Sequence, residues 1–237
     1  MKRFWTEVSV GADRVVALDG RPVRTPGRAP LALPTDALAR TVADEWRGVG
    51  ETLDPRAMPL TGLANATIDR VASDRDAFAA ALARYGESDL LYYRAEGPAE
   101  LVRRQSDRWD PPLDWARTRY DVHFELAAGV MHRAQPPATV ARLGDAVGAL
   151  DAWALAGLSP VVTITGSLVL ALALVEGALD PDAVWTAADL DEDWQTERWG
   201  EDALAAQARE GRRREFDAAV RFLRAADAIS APSSAFG

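Results

Sequence analysis

The spacing of hydrophobic and polar positions changes character near residue 55 of this 237-residue chain. Before that point, apolar residues alternate loosely in short runs. The runs are Phe4 to Val10, Val15 to Leu18 and Leu31 to Leu33. Gly11-Ala12-Asp13 reads as a turn between the first two, and Asp19-Gly20 is a strong hairpin signal. The prolines of Arg21–Pro26 suit an edge strand, where a missing N–H is tolerated. Thr35 is placed to cap a helix running to Val49, with Leu38, Val42 and Trp46 near one face. The first 55 residues therefore predict a small sheet carrying one helix.

Beyond Met58 the pattern is helical. Helices are expected over Leu60–Val71, Ala77–Tyr85, Pro137–Ala149, Asp151–Gly157, Pro181–Ala187 and Arg212–Ala226. Asp89–Arg94 reads as a short extended segment. Ala99–Tyr120 is expected as two helices, because Pro111-Pro112 removes two ladder donors. Leu158–Val175 is apolar on every side and approaches membrane-span length. Ser159, Pro160, Thr163, Thr165, Gly166 and Ser167 interrupt it, and no cation cluster flanks it. It reads as the central buried helix of a soluble domain. The predicted class is α+β: a β-containing domain over 1–55, a mainly helical domain over 56–230, and a small-residue tail over 231–237.

Composition narrows the function classes. The net charge of −9 disfavours binding to nucleic acid or to an anionic membrane surface. With no cysteine, disulfides, thiolate nucleophiles and cysteine metal sites are excluded. The two histidines, His123 and His132, lie nine apart, which is a poor basis for a metal site, and none is predicted. No phosphate loop, dinucleotide fingerprint or nucleophile–base constellation is present, so no cofactor is expected. The N-terminus carries neither a signal peptide nor a transit leader, which points to the cytoplasm of a bacterium.

The most informative segment is Asp189–Asp202, where two tryptophans and seven carboxylates surround the single cation Arg198. Asp189 and Glu192 have the spacing of a capping box. That accounts for the first turn only. Asp193, Glu197 and Glu201 fall at steps of four and form one acidic ridge, which like-charge repulsion penalises unless a cation meets it. Trp194 and Trp199 are five apart, about 140° round a helix, so they cannot share one narrow buried stripe. The candidate partner-binding residues are Asp193, Trp194, Glu197, Trp199, Glu201 and Asp202. The competing reading is internal: Arg212, Arg213 and Arg214, read as a helix start, could fold back and neutralise the ridge.

Several blocks, in order along nearly the whole chain, resemble one family. They include L-D-G-R-P-V-R-T-P at Leu18–Pro26, D-P-R-A-M-P-L-T-G-L-A-N-A-T-I-D at Asp54–Asp69 and D-L-L-Y-Y-R-A at Asp89–Ala95. R-Q-S-D-R-W-D-P-P-L-D-W-A at Arg104–Ala116 and D-E-D-W-Q-T-E-R-W-G at Asp191–Gly200 complete them. The chain resembles the assembly factors that chaperone the alpha subunit of the ATP synthase catalytic head. The resemblance implies a non-enzymatic protein, monomeric when free. It would bind unassembled alpha subunit and prevent aggregation until beta subunits arrive, without stable membrane insertion and without nucleic acid. It also implies that C-terminal acids matter, which by motif match are Asp191, Glu192, Asp193, Glu197, Glu201 and Asp202. Two other readings stay open: a hydrolase using the acids of 191–202, and a permanent scaffolding subunit.

Overall fold

The computed structural model describes residues 2–129, 131–200 and 202–229. Near the N-terminus, β1 (Val8–Val10), β2 (Val16–Leu18) and β3 (Arg21–Pro22) form an antiparallel sheet in that order. Val8 pairs with Leu18, and Leu18 with Arg21. The Asp19-Gly20 hairpin forms with both residues at positive φ, 47° and 74°, which two-residue hairpin turns favour. The Asp19 carboxylate helps hold that unusual backbone, accepting from the Thr6 and Glu7 amides at 3.0 and 2.8 Å. The expected strand at Leu31 to Leu33 shrinks to isolated bridges, Val15 to Ala32 and Arg24 to Pro30. Helix α1 (Asp36–Arg47) begins as expected, with Thr35 Oγ1 accepting from the Leu38 amide at 3.1 Å. Its Leu38, Val42 and Ala43 are buried against the sheet and the helices beyond.

The remainder is helical. It comprises α2 (Pro59–Ala66), α3 (Arg75–Ala83), α4 (Ala99–Tyr120), α5 (Pro137–Gly148) and α6 (Ala152–Thr165). It continues with α7 (Leu168–Val175), α8 (Pro181–Ala188), α9 (Leu190–Trp199) and α10 (Ala203–Ala225). Every residue of α7 is buried, which is why its sequence is apolar on all sides. Helices α4, α6 and α8 cover it, and α10 crosses α6, α2 and α1. One apolar core runs from Trp5 and Leu38 through α7 to Phe222. Two carboxylates fasten the sheet-bearing part to the helices. Glu45 accepts from the amides of Leu60 and Thr61 at 2.9 and 2.7 Å, satisfying donors at the start of α2. Asp69 accepts from Thr25 Oγ1 and the Gly27 amide at 2.6 and 2.8 Å.

Three expectations are corrected. Helix α4 runs unbroken through Pro111 and Pro112. Its Gln105, Trp109, Leu113 and Ala116 recur on one buried face, and that burial outweighs the two lost backbone bonds. The carbonyls deprived of donors belong to Asp107 and Arg108, both on exposed residues that water can reach. The apolar run 158–175 is two helices. Gly166, at φ 65°, ends α6 by donating to the Val162 carbonyl, and Ser167 caps α7 at the Leu170 amide. Asp89–Arg94 is mainly a 3-10 turn over Leu90–Tyr92, leaving only β4 (Tyr93–Arg94), parallel to β5 (Ala127–Ala128). The turn forms because the Asp89 carboxylate accepts from the Leu91 amide at 3.0 Å. Its second oxygen accepts from the Val169 amide at 3.0 Å, so one buried acid serves two helix starts. Burial raises its carboxyl to about 6, against the pull of the Val169 and Leu91 amides. The tail over 231–237 lies outside the described residues, and no described helix is long and apolar enough to cross a membrane.

Candidate functional site

The acidic segment folds as α9 and the turn into α10. Asp202 ends the turn by accepting from the Leu204 and Ala205 amides at 2.9 and 3.0 Å, which starts α10 at Ala203. The helix therefore begins nine residues before Arg212, and Arg212–Arg214 lie in its interior. Gly200 makes the corner at φ 85°. Asp189 forms no capping bond at the start of α9, because its side chain faces Arg209 instead.

The ridge is met by cations from within the chain. Arg209 contacts both Asp189 and Asp193, and Arg212 contacts Glu192. From α4, Arg104 binds Glu197 at 2.7 Å and Glu100 at 3.1 Å, while Arg198 of α9 reaches Glu100 at 2.8 Å. Asp191 accepts from Gln105 at 2.8 Å. Internal cations thus meet Asp193 and Glu197, but they are Arg209 and Arg104; of the expected three, Arg212 reaches only Glu192 and Asp189, beside the ridge. Arg213 serves Asp182 and Asp217, and Arg214 serves Glu210. Sequence reasoning missed Arg209 and Arg104. Recognising Asp202 as a cap would have placed Arg209 two turns into α10, facing back toward α9. Most of these pairs are partly exposed and contribute roughly 0–1 kcal/mol each, so their effect is to fix geometry. Asp189 is the buried member, and burial raises its carboxyl while Arg209 opposes that rise. Its Oδ2 meets Arg209 as an ion pair without an aligned hydrogen bond.

The tryptophans divide as their spacing requires. Trp194 is 4% exposed and packs against the Arg104 and Arg198 guanidiniums, 4.8 and 4.4 Å from its ring centroid. Trp199 is 78% exposed, and Leu204 across the corner is 77% exposed. Among the described residues only Phe4 and Met131 are comparably exposed large apolar side chains. A cleft of about 420 Å³ opens beside the corner, bounded by Trp199, Gly200, Asp202, Ala205, Thr196 and Arg209. The structure therefore places Trp199 and Asp202 on one cleft, with Leu204 exposed at the start of α10. Trp194 is buried against Arg104 and Arg198, and Asp193 and Glu197 brace α9 against α10 and α4. Glu201 lies outside the described residues. The braced carboxylates are each held by an arginine, so the arrangement offers a shaped surface. Among the described residues no cluster of histidine and carboxylate side chains is arranged to hold a metal.

The family model described as ATP12 chaperone protein matches residues 2–117. The crystal structure of Atp12 from Paracoccus denitrificans is 41% identical, superposes with a TM-score of 0.88, and aligns over 95% of this chain and 98% of that one. This chain belongs to the ATP12 chaperone family. A solved structure from Agrobacterium tumefaciens is also 41% identical, with a TM-score of 0.89 over 94% of this chain and 85% of that one. The mitochondrial atp12 protein of Schizosaccharomyces pombe is 25% identical over 214 residues, covering 84% of this chain and 74% of that protein. The family likeness spans both the sheet and the helices, so the α9–α10 corner sits on a family scaffold and is not an appended segment.

Proposed function

We propose that this protein is an ATP synthase assembly chaperone that acts in the cytoplasm, holding the unassembled alpha subunit until beta subunits displace it. Membership of the ATP12 family supports the class. The observation that carries the reading is the exposed Trp199–Leu204 pair on a corner braced from both sides by arginine–carboxylate contacts. An unassembled subunit exposes apolar surface meant for its neighbours, and such surface drives aggregation. A rigid aromatic anchor loses little side-chain entropy on binding, and tryptophan is favoured at binding hot spots. Asp202 at the rim adds a charge that orients encounter more than it tightens retention.

The test is co-expression of alpha without beta, followed by fractionation and pull-down. Alpha should become soluble and co-purify with this protein, and added beta should release it. Trp199→Ala with Leu204→Ser should lose capture while keeping the fold. If alpha stays insoluble beside the wild-type protein, the client assignment fails.

A further inference from the structure

The corner alone is small. A stable interface buries about 800 Å² per partner, and one aromatic side chain supplies roughly 150–250 Å² of that. A second contact surface is needed, and α10 leads to one. Leu204, Gly211, Glu215 and Ala218 are spaced 7, 4 and 3 apart, which keeps them within about 60° of one another round the helix. Leu204 belongs to the corner. The other three line a groove on the same stripe.

This groove holds about 700 Å³ and lies where α10 and α6 meet the start of α2. Pro55, Ala57, Pro59 and Leu63 form one wall, and Gly211 and Ala218 the other, with Pro160 also lining it. It continues past Leu63, Pro160 and Glu215 into a second cavity of about 470 Å³ reaching Val71 and Phe78. Its width depends on two helical glycines. A Cβ at Gly62 or Gly211 would meet nothing within 4 Å, so packing does not demand glycine at either place. Each costs roughly 0.5–1 kcal/mol of helix stability relative to alanine.

The rim carries the charge information. Arg56 borders the first cavity and Arg70 the second, and neither has a carboxylate within ion-pair distance among the described residues. Arg214 also lines the first cavity, where it pairs with Glu210 at 2.9 Å. Glu215 is the one acid among the lining residues of both cavities. In a chain of net charge −9, an apolar groove lined by three arginines and one glutamate is inverted in sign relative to the whole.

We propose that this groove is a second docking site for the client, taking an apolar segment that carries carboxylates for Arg56 and Arg70. The proposal rests on the chaperone reading for the identity of the client, and on the groove itself for the chemistry of the segment. Leu204 and Ala218 are separated by about 21 Å of helix, so one client domain can engage corner and groove together.

The test fills the groove without disturbing the fold. Gly62→Leu and Gly211→Leu should unfold at the wild-type temperature or above it, yet capture alpha about tenfold more weakly. Arg56→Glu with Arg70→Glu should weaken capture at low salt, with the difference from wild type shrinking at high salt. The anionic apolar dye anilinonaphthalenesulfonate reports the groove without alpha. It should fluoresce with wild type and with Trp199→Ala, and much less with the filled variants. Filled variants that capture alpha as well as wild type overturn the proposal, as does equal dye fluorescence in all proteins. Wild type that binds dye through the groove but never captures alpha sinks the alpha-subunit reading and leaves the groove standing.

Discussion

Trp194 and Trp199 sit five residues apart in one helix, and truncating each to alanine should give opposite results. Trp194 is 4% exposed, with two guanidiniums packed against its ring. Removing a buried tryptophan side chain costs about 3–5 kcal/mol through lost transfer energy and the cavity left behind. Arg104 and Arg198 would also lose their cation–π contacts, worth about 0.5–1 kcal/mol each at partly exposed sites. These terms overlap, and a total of about 4 kcal/mol is expected for Trp194→Ala. At a urea slope near 3 kcal/mol per molar for a chain of this size, the midpoint should fall by more than about 1 M. Trp199 is 78% exposed, so Trp199→Ala should stay within about 0.5 kcal/mol of wild type. Its loss should appear in client capture, at about 2 kcal/mol or more if it is a binding anchor. Urea melts followed by far-ultraviolet dichroism separate the two variants, and pull-down of alpha completes the comparison. An unchanged midpoint for Trp194→Ala would refute the bracing argument. A shift above 2 kcal/mol for Trp199→Ala would show that its ring is structural.

Four further outcomes follow from the geometry. A Cβ on Gly157 would lie 2.7 Å from Leu223 Cδ2 and Cγ where α6 crosses α10, so Gly157→Ala should lower stability by about 1–2 kcal/mol, overpacking exceeding the helix-propensity gain; a raised melting temperature would contradict this. Asp89 titrates near 6 in the fold against 3.8 unfolded, so its contribution is fully present below pH 3.8 and is lost as pH rises through 6. Wild type should therefore decline relative to Asp89→Asn by up to about 3 kcal/mol between pH 4 and 7, and parallel stability curves would rule this out. Glu45→Ala strands the Leu60 and Thr61 amides and should cost about 2 kcal/mol, with faster hydrogen exchange at those two amides. Asp193→Arg should weaken capture by loosening α9 from α10, since it sets a second cation against Arg209; unchanged capture would show that the Asp193–Arg209 contact does not brace the corner.

Local chemistry made much of the fold legible. Asp19-Gly20 announced its hairpin because only residues tolerant of positive φ suit that turn. Thr35 announced a helix start, and the absence of any polar face announced that α7 would be enclosed. The failures divide: the turn after Asp89 rests on a local cap that periodicity does not register, whereas the other two depend on residues distant in sequence. Pro111 and Pro112 stay helical because Trp109 and Leu113 are buried by other elements. The break at Gly166 is held by Asp89, 80 positions from the amide it accepts from. At the site, the spacing of Trp194 and Trp199 already implied that one ring would be exposed. It could not reveal Arg104, which arrives from α4 and sits 93 positions from Glu197.

The groove was invisible for a stronger reason. Its walls are prolines, alanines and glycines from α2, α6, α10 and the 3-10 turn over Pro55–Ala57, and no periodicity links them. Nothing about Gly211 within its own helix suggests more than a mild defect in α10. Only the packing shows that it keeps a cavity open on the stripe that also carries Leu204. That arrangement suits a holding protein that must release its client. Two modest contacts on one rigid helix reinforce each other, because engaging one raises the local concentration for the second. The same coupling makes release easy. A competitor that displaces the client from either the corner or the groove removes the avidity of both, so an incoming subunit need not outcompete the whole interface at once.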